Sequence, residues 1–264
     1  MKVAIIGGGV MGEAILGAAL ERGVFAPGDA TVCELVAPRR EVLHAEYGVQ
    51  VTGDDAEAMS GADVVLLSVK PQDTASIEGN LRSEALLLSV MAGVRIATIR
   101  QIFRHERIVR VMPNTPVAAK AGMSVWTATP DVDESQRNLT RGLLAAIGRE
   151  IYVADEAKVD MATAVSGSGP GYVFLFIEAM VEGAVAIGLP RAQAQEMVLQ
   201  TFLGSALYAM ESGRPPAELR GMVTSPGGTT AAGLLEMERG ALRAAIIDGV
   251  EAAHQRAIEL GGGA

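Results

Sequence analysis

The chain has 264 residues, 49% hydrophobic and 20% charged, which is long enough for one large domain or two modest ones with real cores. A formal net charge of -9 argues against a nucleic-acid footprint, which needs clustered positive charge, so a small anionic ligand has to be caught by local donors. Cys33 is the single cysteine and excludes an intrachain disulfide, while His44, His105 and His254 lack metal-ligand spacing, so no metal is expected.

In chain order, residues 2–6 form an apolar run closed by Gly7 and read as a buried strand. Runs at 31–33, 64–67, 86–90 and 108–111 have the same look, and amphipathic segments of helical length, 10–21 and 38–47, lie between several of them. Strands alternating with helices imply a parallel sheet. A weaker strand pair at 123–127 and 150–153 is expected to extend it. After about Asp155 strand candidates cease and helical patterns follow at 171–187, 191–211 and 240–260, separated by turn signals at 188–190 and 214–216. The segment 172–187 is apolar on nearly every face, so it is expected to be buried and to need a second subunit to cover it. It meets Glu178 and Glu182 before reaching the ~20 residues of a membrane span. With no signal peptide read ahead of the first strand, the expected location is the cytoplasm. The organisation expected is an α/β domain over 1–155 and an all-helical dimerisation domain over 156–264, with a fraying tail at Gly261, Gly262 and Gly263.

Gly7, Gly8, Gly9, Val10, Met11 and Gly12 fit G-x-G-x-x-G between the first strand and first helix, the context in which that pattern signals a dinucleotide. Gly7 permits the tight turn, Gly9 lets a pyrophosphate approach, and Gly12 lets helix and strand pack closely. Glu34 closes the second strand about 20 residues on, where an acid binds a ribose 2′-hydroxyl and favours NAD. Arg39 and Arg40 follow and could clamp a 2′-phosphate, so NADH and NADPH both stay open.

Several dehydrogenase mechanisms lack their acid or base here. Tyr47, Tyr152, Tyr172 and Tyr208 have no Lys four residues later, and His105, beside charged neighbours, is expected at the surface. The helix after Gly167-Ser168-Gly169 carries Val173 and Ile177 where β-hydroxyacid dehydrogenases use Lys and Asn. A reductase without a strong acid suits an iminium carbon, which is already electrophilic, so that binding and charge stabilisation suffice.

Ser68-Val69-Lys70-Pro71, Val111-Met112-Pro113-Asn114-Thr115-Pro116, Ser166-Gly167-Ser168-Gly169-Pro170 and Val223-Thr224-Ser225-Pro226-Gly227-Gly228-Thr229-Thr230, together with the glycine turn, resemble the pyrroline-5-carboxylate reductases across essentially the whole chain. The resemblance implies a Rossmann-like domain joined to a helical domain that forms a homodimer, with dimers assembling further. It implies NAD(P)H-dependent reduction of 1-pyrroline-5-carboxylate to L-proline. Residue by residue, it implies cofactor contacts at Gly7 to Gly12, at Ser68, Val69, Lys70 and Pro71, and at Met91, Ala92 and Gly93. It implies substrate contacts at Glu156, Ser225, Gly227, Gly228, Thr229 and Thr230, with the Thr230 hydroxyl reaching the ring nitrogen at the start of a helix over 230–238. Asn114 is expected to shape its loop and to have no catalytic role. Glu34 and Asp55 stand near positions where many relatives have small polar or Asn residues, and two acids there disfavour a 2′-phosphate. A reductase of another cyclic imine and a silent dinucleotide-binding regulator are the alternatives, the second opposed by the intact 224–230 run.

Overall fold

The computed structural model describes residues 1–262. In chain order the first unit runs β1 (Val3–Ile6), α1 (Val10–Glu21), β2 (Ala30–Cys33), α2 (Ala37–Tyr47), β3 (Gln50–Thr52), α3 (Asp55–Met59), β4 (Val64–Leu67) and β5 (Leu86–Ser89). It continues with α4 (Ile96–Phe103), β6 (Ile108–Met112), β7 (Gly122–Ala128), α5 (Glu134–Ile147), β8 (Gly148–Tyr152) and α6 (Ala157–Ala162). Its local punctuation is ordinary chemistry. Pro38 lies in the first turn of α2, Gly48 ends that helix at φ 67°, and Asp133 with Gln136 forms a capping box on α5.

The strands make one sheet in the order β3-β2-β1-β4-β5-β6-β7-β8. All neighbours are parallel except β6 and β7, which pair antiparallel, so the expected strand pair does extend the sheet but in a mixed rather than purely parallel arrangement. The edge strand β3, half exposed and three residues long, carries too short a pattern to have been read from sequence. Alternation along β1 sends Val3 and Ile5 into a core with Ile15, Leu16, Leu143 and Leu144, and Ala4 and Ile6 into another with Met59, Leu67, Leu87 and Ile99. Helices thus cover both faces, and the strand order reverses between β1 and β4, the point where open α/β sheets bind ligands at their carboxyl edge.

This compact unit spans Met1–Ser168 and takes in the described residues from Ala253 on, whereas the change of texture lies at about Asp155. The extension has a cause. Asp160 of α6 is bonded to Arg110 of β6, and Asn114 donates to the Ser166 carbonyl, so 156–168 is tied to the sheet.

The second unit, Gly169–Ala252, holds α7 (Gly169–Ala186), α8 (Arg191–Ser212), α9 (Pro216–Met222), α10 (Thr229–Arg239) and the start of α11 (Leu242–Leu260). Its core is small: Val181, Ala194 and Val198, with Ile177, Val185, Leu189 and Phe202 packed against them. Of α7 only Val181 is buried within the single chain, while Phe174 and Leu175 are 60% and 64% exposed, which leaves the apolar face that was expected to need a second subunit to cover it. By length and hydropathy alone the helical run Ala157–Ala186, which takes in α6, a π turn at Thr163–Gly167 and α7, is apolar enough to cross a membrane.

Candidate functional site

At the carboxyl edge of β1 the three glycines have separable jobs. Gly7 sits at φ 101°, and a Cβ there would lie 2.9 Å from the Ser68 backbone, so both conformation and space demand glycine. A Cβ on Gly12 would lie 2.2 Å from the Gly7 carbonyl oxygen and 2.5 Å from Ser68 Oγ, which is the close helix–strand contact expected of it. A Cβ on Gly9 would meet nothing, so that position faces open space. Gly9 is also the N-cap of α1, and no side chain caps the helix. The first-turn N–H groups behind Val10 and Met11 are therefore left for a ligand, and the helix dipole favours an anion there.

The adjoining edge, at the end of β2, is built around Glu34. Glu34 Oε2 accepts the N–H of Gly8 at 3.1 Å and Oε1 that of Val36 at 3.0 Å. Arg39 donates to the Gly8 carbonyl at 3.0 Å and pairs with Glu13, and Arg40 donates to the Glu34 carbonyl at 2.6 Å and that of Leu35 at 3.0 Å. Both arginines are thus engaged by groups of the chain itself. Leu35 and Val36, 78% and 57% exposed, lie beside this acid as an apolar ledge that the sequence reading passed over. The signal was available as two apolar residues outside the strand's last buried position. Asp55 opens α3 near Cys33, whose thiol is pushed up to about 12, first by burial and then by the neighbouring Asp55 carboxylate.

Across the switch point, Ser68 Oγ donates to the carbonyls of Gly7 at 2.6 Å and Ile6 at 3.1 Å, locking β4 to the glycine turn. Val69 packs on the core, Lys70 is exposed at the strand end, and Pro71 starts a 3₁₀ turn over Pro71–Ser76. Beyond β5, Met91 is buried and its sulfur accepts from Thr74 at 3.2 Å. Ala92 is half-buried, and Gly93, at φ 75°, lies against Leu260. The structure therefore brings Gly7, Gly12 and Ser68 into direct contact, with Gly8 bonded to Glu34.

Glu156 is neither a loose surface carboxylate nor directed to a ligand through both oxygens. Its Oε1 accepts from Arg110 Nη1 at 2.9 Å and from the N–H of Ile96 at 2.8 Å. Arg110 and its partner Asp160 were missed, although an arginine inside the apolar run 108–112 was the available signal. His105 is a correction. It is 5% exposed, not at the surface, because its Nε2 bonds the Ala85 carbonyl at 2.7 Å at the amino edge of the sheet, opposite the glycine turn. Asn114 donates to the Ser166 carbonyl at 3.0 Å and accepts from the Met123 N–H at 2.8 Å, a loop-shaping role as expected.

In the second unit, Ser225-Pro226-Gly227-Gly228 forms a turn closed by the Gly228 N–H on the Ser225 carbonyl at 3.0 Å, with Gly227 at φ 71°, the pattern of a type II turn. The helix that follows starts at Thr229, one residue earlier than read, and its N-cap is Gly228. Thr230 is consequently not a cap. Its hydroxyl is half-buried in the first turn, beside first-turn N–H groups that no side chain caps. Such a row of donors suits a small carboxylate.

A family model described as pyrroline-5-carboxylate reductase dimerisation matches residues 156–260, and one described as NADP oxidoreductase, coenzyme F420-dependent, matches residues 2–93. The pyrroline-5-carboxylate reductase of Synechocystis sp. is 42% identical over 99% of this chain and 98% of its own length. Among solved structures, a pyrroline-5-carboxylate reductase from Coxiella burnetii aligns with a TM-score of 0.87 at 34% identity over 98% of each chain. The Plasmodium falciparum pyrroline carboxylate reductase with NADP bound aligns with a TM-score of 0.90 at 27% identity, covering 99% of this chain and 98% of that one.

Proposed function

The chain belongs to the pyrroline-5-carboxylate reductase family, and from that premise we propose that it reduces 1-pyrroline-5-carboxylate to L-proline with a nicotinamide dinucleotide. The observation that carries the reading is the uncapped start of α1 behind a turn that only glycine can make at Gly7 and Gly12. Gly9, Val10 and Met11 receive the pyrophosphate, Glu34 and Asp55 face the adenosine ribose, and Leu35 and Val36 seat the adenine. Ser68, Val69, Lys70 and Pro71, with Met91, Ala92 and Gly93, line the nicotinamide end. Reduced nicotinamide, when bound, supplies the hydride that the imine carbon takes up. The chain's own task is then to hold two rings and their charges in register.

The substrate carboxylate docks on the backbone donors of Ser225, Gly227, Gly228 and Thr229, and Thr230 Oγ hydrogen-bonds the ring nitrogen. On this division of labour residues 1–155 carry the dinucleotide and residues from 156 on carry dimerisation and substrate. The exposed apolar side of α7 supports a homodimer interface there, in place of a membrane contact. Dimers of dimers or larger rings are compatible with that interface, and a cytoplasmic setting suits a chain whose one thiol is buried and free.

We assign NADH as the preferred reductant. A carboxylate at the end of β2 repels a 2′-phosphate, and Arg39 and Arg40 are already engaged by Glu13 and by backbone carbonyls. The test is oxidation of NADH and NADPH, side by side, with racemic pyrroline-5-carboxylate at neutral pH. Turnover with NADH the faster is expected. Folded protein that binds dinucleotide but oxidises neither would sink the reading, and turnover only with a six-membered imine would reassign the ring.

A further inference from the structure

Arg110 stands in the middle of β6 with its side chain 1% exposed. A guanidinium there is tolerable only if paired, and two carboxylates supply the pairs, Asp160 at 2.6 Å and Glu156 at 2.9 Å. Arg95 adds a second cation at 3.4 Å from Asp160, so the cluster holds two positive and two negative groups. Buried ion clusters are weak glue, because well-packed apolar residues of similar volume often stabilise a fold as much or more. What such a cluster contributes is fixed geometry. Here the geometry has a target: Glu156 Oε1, steered by Arg110, accepts the N–H of Ile96, the first residue of α4, three residues past Gly93. The opposite side of the same turn is closed by the end of α11. A Cβ on Gly93 would sit 3.1 Å from Leu260 Cβ, and one on Gly261 would sit 3.2 Å from the Gly93 carbonyl oxygen and from Arg95 Nε.

We propose that Glu156 is a positioning residue for hydride transfer, acting through Ile96 to hold the Met91, Ala92 and Gly93 turn against the nicotinamide, and not a ligand of the imine. The inference rests on the dinucleotide reading above. It revises the role that the family resemblance implies for this carboxylate.

Three variants of the full-length chain separate the two roles. Glu156→Ala removes the acceptor. Glu156→Gln keeps a carbonyl oxygen for Ile96 but removes the charge. Ile96→Pro removes the donor and leaves Glu156 in place; it suits the first position of α4, because Arg95 before it is extended at φ -79°, ψ 155°. The readouts are NADH affinity by nicotinamide fluorescence, KM for each substrate, and the primary isotope effect on kcat with NADH deuterated at both C4 positions. Glu156→Ala and Ile96→Pro are expected to weaken NADH binding by about tenfold and to raise the isotope effect together. KM for the imine is expected to stay within about twofold, and Glu156→Gln to stay near the wild type. A merely structural role would lower the active fraction and leave affinity and isotope effect alone, which would overturn the inference. So would an Ile96→Pro protein with wild-type affinity and isotope effect beside a Glu156→Gln protein as impaired as Glu156→Ala. A wild-type protein that binds NADH but turns over no imine would overturn the reductase reading instead, and the NADH affinities of the variants would still decide the positioning role.

Discussion

The Glu34 carboxylate reaches from the end of β2 to accept the N–H of Gly8 at 3.1 Å, so the acid at the proposed ribose edge and the second glycine of the turn form one unit. Its other oxygen holds Val36 at 3.0 Å, which keeps the negative charge at the edge rather than swinging into solvent. A 2′-phosphate approaching that edge meets a fixed anion. Removing the charge while keeping an acceptor for one N–H, as in Glu34→Gln, is therefore expected to raise kcat/KM with NADPH relative to NADH by about tenfold, a change of ~1.4 kcal/mol in discrimination. Paired initial-rate measurements with the two dinucleotides check this, and an unchanged ratio would move the selectivity elsewhere.

The glycines predict opposite phenotypes. Gly12→Ala forces a methyl into the Gly7 carbonyl and Ser68 Oγ, both fixed by the fold, and is expected to cost about 1–3 kcal/mol or more in stability. Gly9→Ala places its methyl in open space and keeps an allowed φ of -71°, so thermal stability should hold while dinucleotide binding falls. Melting curves with and without NADH distinguish them. Equal losses of stability in both variants would refute the division of roles.

Thr230 lies in the first turn of α10 with its hydroxyl unused as a cap. Thr230→Ala should leave the melting temperature nearly unchanged and lower kcat about 10- to 100-fold, the range for losing a hydrogen bond to a charged group. Thr230→Ser should recover most of the rate. A loss of stability that matches the loss of rate would mean that the residue serves the helix only.

The exposed apolar residues of α7 make a prediction about assembly. Introducing a charge at Leu175, 64% exposed in the single chain, as Leu175→Asp, should abolish the dimer in light scattering coupled to size exclusion. A variant that stays dimeric at micromolar concentration would place the interface on another face.

Cys33 provides a pH prediction. Its thiol is raised from 9.0 to about 12, chiefly by burial, so the folded state favours the neutral form. The unfolded thiol ionises near its ordinary value, and stability that is complete below about pH 9 is lost as pH climbs toward 12. Tyr47, also raised to about 12 by burial and by Glu13 and Glu46, adds to the fall above about pH 10. Cys33→Ala should flatten the lower part of that slope in denaturant titrations. Native protein should resist iodoacetamide at pH 8 and react once unfolded; rapid native alkylation would contradict the burial.

Much of the first unit was legible because its signals are local. The run 64–67 and the helix 10–21 coincide with β4 and α1, since a buried strand and an amphipathic helix each write their period into adjacent residues. The glycine turn was legible for the same reason, as turn, approach and packing demands all fall within six residues. The start of α10 was displaced by one position because its N-cap, Gly228, has no side chain to cap with and so leaves no capping signal in the sequence. His105 went wrong because its charged neighbours suggested solvent, and its acceptor, Ala85, lies 20 residues away.

The sequence alone determined the α/β alternation, the dinucleotide turn, the helical second half and the family, all of which reside in short patterns or their order. Tertiary structure alone decided that β7 runs antiparallel to β6, that Glu34 is bonded to Gly8, and that Glu156 belongs to a cluster with Arg110 and Asp160. The partners in those side-chain bonds stand 26 to 50 residues apart along the chain. Nothing in a local period specifies which distant carboxylate meets a buried guanidinium, because that choice is made only when the sheet has formed and desolvation penalises every arrangement that leaves the charge unpaired.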